Sequence, residues 1–518
     1  MLNKLLWDSD GQFNVSFGYQ CSGMEGSPYN GFGDASFEEP GKTTNQLKKS
    51  SFSLLTGAAV SANCTLANTN ICNGLIGEGL LPCLDSPKTF RRVPSSPSLS
   101  SLDILSSSLQ SNGSYLSGFL SSQSDCSEWN LSVLKPTSAP SRSQGFLNAM
   151  EVQLAGGAAG EDRVQAFCSE ENGWLCCAIY DGFNGRDAAD FLAGTLYENI
   201  GLYLNVLDSQ LKHNNDMVLN GDGDDIDHGF FQYEDGFAEE MSKIHSSMID
   251  LGITKCIKKP VFDSYKNGVL DCLQHALAQA ESDFIYMVEQ EMDDRPDLVS
   301  IGSCVLVVLL HQQDLFILSL GDSRAVLATI RDANKLEAIQ LNECHSVDNE
   351  TEQMRVLSEH PDDPKTIVHG KVKGKLKLTR AFGVGYLKKK NMNDALMGIL
   401  RVPNLSSPPY VSTQPSLNFH RVSRGDRFVL VASDGLFDFF SNAEAVELVS
   451  SFFQSCPLGN PAEFIVEQLV LRAAQKAGFT LEELMRVPSG MRRKYHDDVT
   501  VIVILLGSHH RTSTASTH

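Results

Sequence analysis

Three aspartates stand where apolar runs meet turn residues: Asp181 in IYDGFNG, Asp434 in VASDGLFD, and Asp497, beside Asp498, at the head of DDVTVIVILLG. One Asp-Gly pair after a strand is ordinarily a turn, because both residues suit turn geometry. Three carboxylates at the ends of separate strands can instead collect on one edge of a packed sheet. Several carboxylates within a few ångströms cannot all stay ionised unless a cation compensates them. Oxygen-only donors select hard ions, Mg2+ or Mn2+, over zinc. Two such ions about 4 Å apart can bridge and deprotonate a water for in-line attack on phosphorus. The pattern therefore points to hydrolysis of a phosphate ester. A covalent cysteine route would need a Cys-centred phosphate loop, and the sequence offers none.

The elements that must position these residues are legible from about residue 145 onward. Runs at 174–182, 303–310, 314–323, 427–435 and 497–507 are short, β-branched and bounded by turn residues, which predicts strands. The pair around His311 to Gln313 predicts an antiparallel hairpin. Apolar residues recur at helical spacing over about 186–206, 267–292, 442–455 and 461–477. Strands apolar on both faces, together with such helices, predict an α+β fold: a central antiparallel β-sandwich flanked by helices.

Residues 1–140 are rich in Ser, Gly and Asn without sustained periodicity, and are expected to be a mostly disordered N-terminal segment. Within them Arg91 and Arg92 precede Ser95, Ser96 and Pro97. A phosphate added there by an upstream kinase could pair with the arginines, and a solvated linker explains the same residues. The domain is expected over 141–508, with an acidic, Gly-rich surface insertion at about 210–242 and a disordered tail at 509–518. The Asp run of that insertion suggests calcium, but it lacks the full EF-hand loop with its bidentate Glu.

The balance of 63 acidic against 42 basic residues argues against a nucleic-acid binder. The start MLNKLLWDSDG is too short an apolar run for a signal peptide, and no stretch reaches the roughly 18 apolar residues of a membrane span. Leu2 removes the myristoylation signal, so no membrane anchor is expected. The 13 cysteines form no CxxC pair and several lie in apolar runs, as buried thiols of a reducing compartment do. Cytoplasm and/or nucleus is the expected location.

GEDR (160–163), IYDGFNG (179–185), LGDSRAVLA (320–328), LKLTRAFG (376–383), VASDGLFDFFSN (431–442) and HDDVTVIVI (496–504) occur in the order and at about the spacing found in the type 2C metal-dependent protein phosphatases. The chain resembles that family over about 145–508, and FSLLTGAAVSAN (52–63) is similar to an N-terminal element of its plant POLTERGEIST-like branch. The resemblance implies a protein serine/threonine phosphatase acting on phosphoprotein substrates with two Mg2+ or Mn2+ ions. By position, Asp181 would bridge both ions, the Gly182 carbonyl would bind one, and Asp434 and Asp497 the other. Asp162 matches an acidic position that supports the metal waters. Asp322 is assigned a turn-capping role.

The sequence departs from that family in three places. Phe183 stands where most members have the histidine thought to protonate the leaving oxygen. A positioned general acid is worth about 10²–10⁴ in rate, roughly 3–5 kcal/mol of barrier. Gly157 matches the arginine that clamps the substrate phosphate, and Arg163 is the nearby candidate substitute. Val299 matches the third-metal aspartate, with Asp297 two residues early and Asp438 in its usual place. Lys388, Lys389 and Lys390, with KVKGKLKLTR, could steer acidic substrates or form a solvated loop. Arg492, Arg493 and Lys494 are read as local support for the turn that carries Asp497 rather than as a nuclear address. Two competing functions remain: a phosphoprotein-binding pseudophosphatase, favoured by Phe183 and Gly157, and a calcium-sensing scaffold built on the acidic insertion.

Overall fold

Apolar residues alternate along each long strand, one set facing the opposite sheet and the other facing helices, which builds four layers. The computed structural model describes residues 14–20, 52–63, 152–169, 174–219, 261–331, 335–456, 459–488 and 490–506. In chain order the strands are β1 (Asn14–Gln20), β2 (Phe52–Val60), β3 (Val152–Ala159), β4 (Asp162–Ser169), β5 (Trp174–Phe183), β6 (Gly302–His311), β7 (Asp314–Leu320), β8 (Arg324–Ile330) and β9 (Leu336–Gln340). The short strands β10 (Ile367–Val368), β11 (Lys371–Val372) and β12 (Phe382–Gly383) follow, then β13 (Ser416–Arg421), β14 (Asp426–Ala432) and β15 (Val499–Leu506). The principal helices are α1 (Asp187–Leu219), α2 (Val261–Glu291), α3 (Glu350–Glu359), α4 (Asn442–Ser455) and α5 (Pro461–Ala477).

One sheet has the order β1-β2-β15-β14-β8-β9 and the other β13-β7-β6-β5-β4-β3, with β12 added beside β6. Every pairing within these two sheets is antiparallel. Leu175, Cys177 and Ile179 of β5 face Val429 and Val431 of β14 and Ile502 and Ile504 of β15 in the layer between the sheets. Their neighbours Cys176, Ala178 and Tyr180 face α1 and α2 instead, where Phe191 and Phe284 meet edge to face at 5.3 Å. On the opposite side Phe428, Leu430 and Val501 pack under Val446 of α4 and Ile465 and Leu469 of α5. The helices α4 and α5 fall where the apolar spacing predicts. Ser441 and Glu444 form a capping box at the start of α4, and Asn460 with Pro461 opens α5.

The expected domain boundary at 141 needs correction. Phe52–Val60, inside the Ser-rich stretch, pairs with β15 from Phe52↔Leu506 to Val60↔Val499. It is buried on both faces, with Leu55 and Ala59 toward the sandwich and Ala58 and Val60 toward the helices. Full burial of a side chain such as Leu55 is worth about 1.5–3 kcal/mol, and the strand of nine residues is held by several such side chains together with its ladder to β15. The pair Ser95 and Ser96 lies outside the described residues, as do the tail and the acidic insertion beyond α1, which runs to Leu219. Among the described residues no helix is long and apolar enough to cross a membrane.

Candidate metal centre

Asp181 and Gly182 lie within β5 rather than in a turn, opposite Cys304 and Ser303 of β6. A Cβ at Gly182 would come within 2.5 Å of the Glu161 carbonyl oxygen, so close approach of two backbones requires glycine there. Asp434 opens a single helical turn, Asp434–Phe437, directly after β14. A Cβ on the following Gly435 would sit 2.2 Å from the Asp498 carbonyl oxygen, so this glycine also serves close packing, of the β14 exit on the β15 entry. Ser433 N–H donates to the Thr500 carbonyl at 3.0 Å, and Thr500 N–H donates to Ser433 Oγ at 3.0 Å. Thr500 Oγ1 in turn donates to Asp162 Oδ2 at 2.7 Å, which ties β4 to the same edge.

The structure thus brings Asp162, Asp181, Asp434 and Asp497 to one end of the sandwich. Burial pushes the Asp181 carboxyl well above its ordinary value, and the charges of Asp162, Asp434, Asp322 and Asp497 push it further. Asp162 is raised well above its ordinary range by burial, then by Asp498, against the hydrogen bond from Thr500. Asp434 is pushed up to about 8 by burial and by Asp322, Asp497 and Asp438, and it lies within hydrogen-bonding reach of Asp181. A cation bound among carboxyls crowded in this way would relieve their repulsion and favour their charged form. Their donor set is oxygen, as Mg2+ and Mn2+ prefer, and the nearby Cys304 thiol is held protonated, chiefly by burial. Asp181 and Asp434 keep part of their surface open, as a site that admits water and substrate requires.

Two participants escape the sequence reading. Asp322 is more than a turn cap: one oxygen each from Asp181 and Asp322 and the Cys304 sulfur lie within 4.8 Å of one another. The thiol donates to Asp322 Oδ1 at 3.4 Å. The second is Asn63, at the exit of β2, whose Nδ2 donates to Asp497 Oδ1 at 3.1 Å and to Asp498 Oδ2 at 2.9 Å. Asp498 also accepts from the backbone N–H groups of Ala62, Asn63 and Glu161 at 2.7–2.9 Å. It is therefore the anchor that fixes Asp497 in place, and the N-terminal strand supplies most of its donors.

Other expectations are corrected by geometry. Arg163 cannot serve as a free phosphate clamp: it is 2 % exposed, its Nε pairs with Asp190 of α1, and its Nη1 donates to the Gly160 and Asp162 carbonyls at 2.9 and 2.7 Å. Lys388 does not steer substrates, because its Nζ is committed to Glu281 Oε1 at 2.6 Å and the Ala381 carbonyl at 2.7 Å. Asp297 is exposed and bound to Arg295 at 2.7 Å. Phe183 packs its ring against Gly302 and the apolar layer beneath α1 and α2, and it has no proton to give.

The family described as protein phosphatase 2C matches residues 204–478. That span contains Asp322 and Asp434, and the fold adds Asp181 and Asp497 from outside it. "Probable protein phosphatase 2C 40" of Arabidopsis thaliana is 58 % identical over 513 residues, covering 98 % of this chain and 99 % of that protein. "Probable protein phosphatase 2C 39" of Oryza sativa subsp. japonica is 51 % identical over 520 residues, covering 99 % and 95 %. Among solved structures, the serine-threonine phosphatase 2C from Toxoplasma gondii is 19 % identical, with a TM-score of 0.40 over 69 % of this chain and 95 % of its own.

Proposed function

The chain belongs to the protein phosphatase 2C family, and from that premise we propose that it hydrolyses phosphoserine and phosphothreonine in proteins with two Mg2+ or Mn2+ ions held by Asp181, Gly182, Asp434 and Asp497. The observation that carries this reading is the convergence, at one end of the sandwich, of buried carboxyls from separate elements, each feeling the charge of the others. When bound, the two ions neutralise the carboxylates, polarise the phosphoryl oxygens and acidify an attacking water. The chain's own residues supply the rest. Asp181, which feels the charges of Asp162, Asp434, Asp322 and Asp497, would be the shared ligand. Asp162, held by Thr500 Oγ1 at 2.7 Å, would support the waters on the metal ions. Asn63 and Asp498 fix the loop that carries Asp497.

Leaving-group protonation falls to solvent rather than to a side chain, since Phe183 occupies the position after the Asp-Gly pair. The same residue favours a second reading, a phosphoprotein-binding protein of this fold with little turnover. The two separate in one assay on a phosphothreonine peptide with Mn2+ or Mg2+, with EDTA, and with Asp434→Asn. Metal-dependent phosphate release that disappears in the variant is the expected result; tight peptide binding without release would favour the second reading.

A further inference from the structure

The family's clamp arginine is matched here by Gly157, which lies in β3 opposite Val164, and Arg163 is enclosed. A guanidinium beside the metal ions would help to fix the orientation of a substrate phosphate. Other arginines near the cluster are engaged: Arg186 pairs with Asp190 at 3.1 Å, and Arg324 donates to Asn442 at 3.2 Å and lies over the Phe437 ring at 4.7 Å.

Arg493 differs from all of these. Its side chain is 53 % exposed, and its guanidinium stands 3.9 Å from Glu161 Oε2 and 3.6 Å from Asp497 Oδ2. These separations are ion-pair distances but too long for hydrogen bonds, so the planar fork is drawn to the rim of the carboxylate cluster without being consumed there. Its base is firm. Arg493 sits in the turn Arg492–Lys494, where buried Arg492 accepts at its carbonyl from Tyr495 N–H at 2.9 Å. Gly490 N–H donates to the Ala62 carbonyl at 2.8 Å, and the Tyr495 ring meets Phe479 edge to face at 5.2 Å. Charge neutralised at Asp497 weakens the pull on the guanidinium and leaves its N–H groups for an incoming anion.

We propose that Arg493 is the phosphate-binding residue, gripping the non-bridging oxygens of the phosphomonoester from the β15 side of the site in place of the arginine lost at Gly157. The inference rests on the phosphatase reading and names its substrate contact. The binding act is a paired N–H to oxygen contact, with no bond made or broken by Arg493 itself.

The test uses the full chain with Arg493→Ala, Arg493→Gln and Arg493→Lys, loaded with Mn2+. Calorimetry with inorganic phosphate is expected to show affinity weakened about 10-fold or more in Arg493→Ala and Arg493→Gln and partly recovered in Arg493→Lys. For the phosphothreonine peptide, kcat/KM is expected to fall about 10- to 100-fold, most of it in KM, with Mn2+ affinity within about 2-fold of the parent. Unchanged phosphate affinity and KM would overturn the proposal. So would a loss that vanishes at higher Mn2+, which would make Arg493 a support for Asp497 only. If the parent protein releases no phosphate, the phosphatase reading fails, while the calorimetric arm still decides the role of Arg493.

Discussion

Two sets of carboxyls in this molecule face the same problem and meet it in opposite ways. In the segment between β9 and β13, burial would raise Glu352, but hydrogen bonds from Arg380, Arg355 and Thr379 outweigh it and hold the carboxylate well below its ordinary range. Burial acts on Asp363 as well, against Lys373, Tyr410 and the Lys365 N–H, and the net result is a value of about 2. At the sandwich edge Asp162, Asp181 and Asp434 are raised instead, first by burial and then by the charge of neighbouring aspartates. The first region carries its cations in its own sequence, with Arg380 at 2.6 Å from Glu352 and Lys373 at 2.7 Å from Asp363. The second would, on the proposed reading, take its cations from solution. Structural and functional acidic clusters are thus told apart by what compensates them, more than by how many acids they contain.

Removing a charge from each region should therefore have opposite consequences for folding. The largest effect is expected for Asp181→Asn: turnover falls by about 10³-fold or more, roughly 4 kcal/mol of barrier, because both ions lose their shared ligand. The same variant, free of metal, should melt higher than the parent, since repulsion with Asp162 and Asp434 is relieved. Scanning calorimetry in EDTA beside an assay in Mn2+ measures both, and a lower metal-free melting temperature would break the comparison. Glu352→Gln should do the reverse, losing about 2–3 kcal/mol in urea unfolding because Arg355 and Arg380 are left with a neutral partner. A smaller change is expected for Asn63→Ala, with Mn2+ affinity weakened about 10-fold and kcat largely recovered at high metal. Metal titration of activity checks it, and an unchanged titration curve would remove β2 from the support of the site.

What the sequence makes legible follows from the range of the interactions involved. Asp181, Asp434 and Asp497 each close or open an apolar run, so local pattern alone marks them. The bounds of α4 and α5 are local in the same way, since Ser441 with Glu444 and Asn460 with Pro461 act within one turn. The role of Asn63 is not legible: the resemblance of residues 52–63 marks the segment, but the contact of Asn63 with Asp498 spans 435 positions and local pattern assigns it no part in the site. Arg163 misleads because chain proximity to Asp162 suggests a shared site, while the side chain turns inward to Asp190. Asp322 reads as a turn residue, and only the register that sets Cys304 opposite Asp181 brings β6, β5 and that turn together.

The finest test of the comparison is the pH dependence of stability without metal. Asp434 has its carboxyl raised from an ordinary 3.8 to about 8, so the folded state binds the proton more tightly than the unfolded chain does. Its contribution is complete below the unfolded value and is lost as pH rises through the folded one. Asp363, held to about 2, has the opposite sign: its contribution is complete above its ordinary 3.8 and is lost as pH falls through about 2. Between about pH 4 and pH 8, then, Asp434 titrates while Asp363 stays ionised. The metal-free protein should melt at progressively lower temperature as pH is raised across that window. Saturating Mn2+ should cancel or reverse the slope, because binding requires the deprotonated ligands and stabilises by about 2.7 kcal/mol at 100 times the dissociation constant. Asp434→Asn should flatten the metal-free slope. A metal-free melting temperature that climbs steadily from pH 4 to pH 8 would mean that these carboxyls are compensated from within the chain, as Glu352 and Asp363 are.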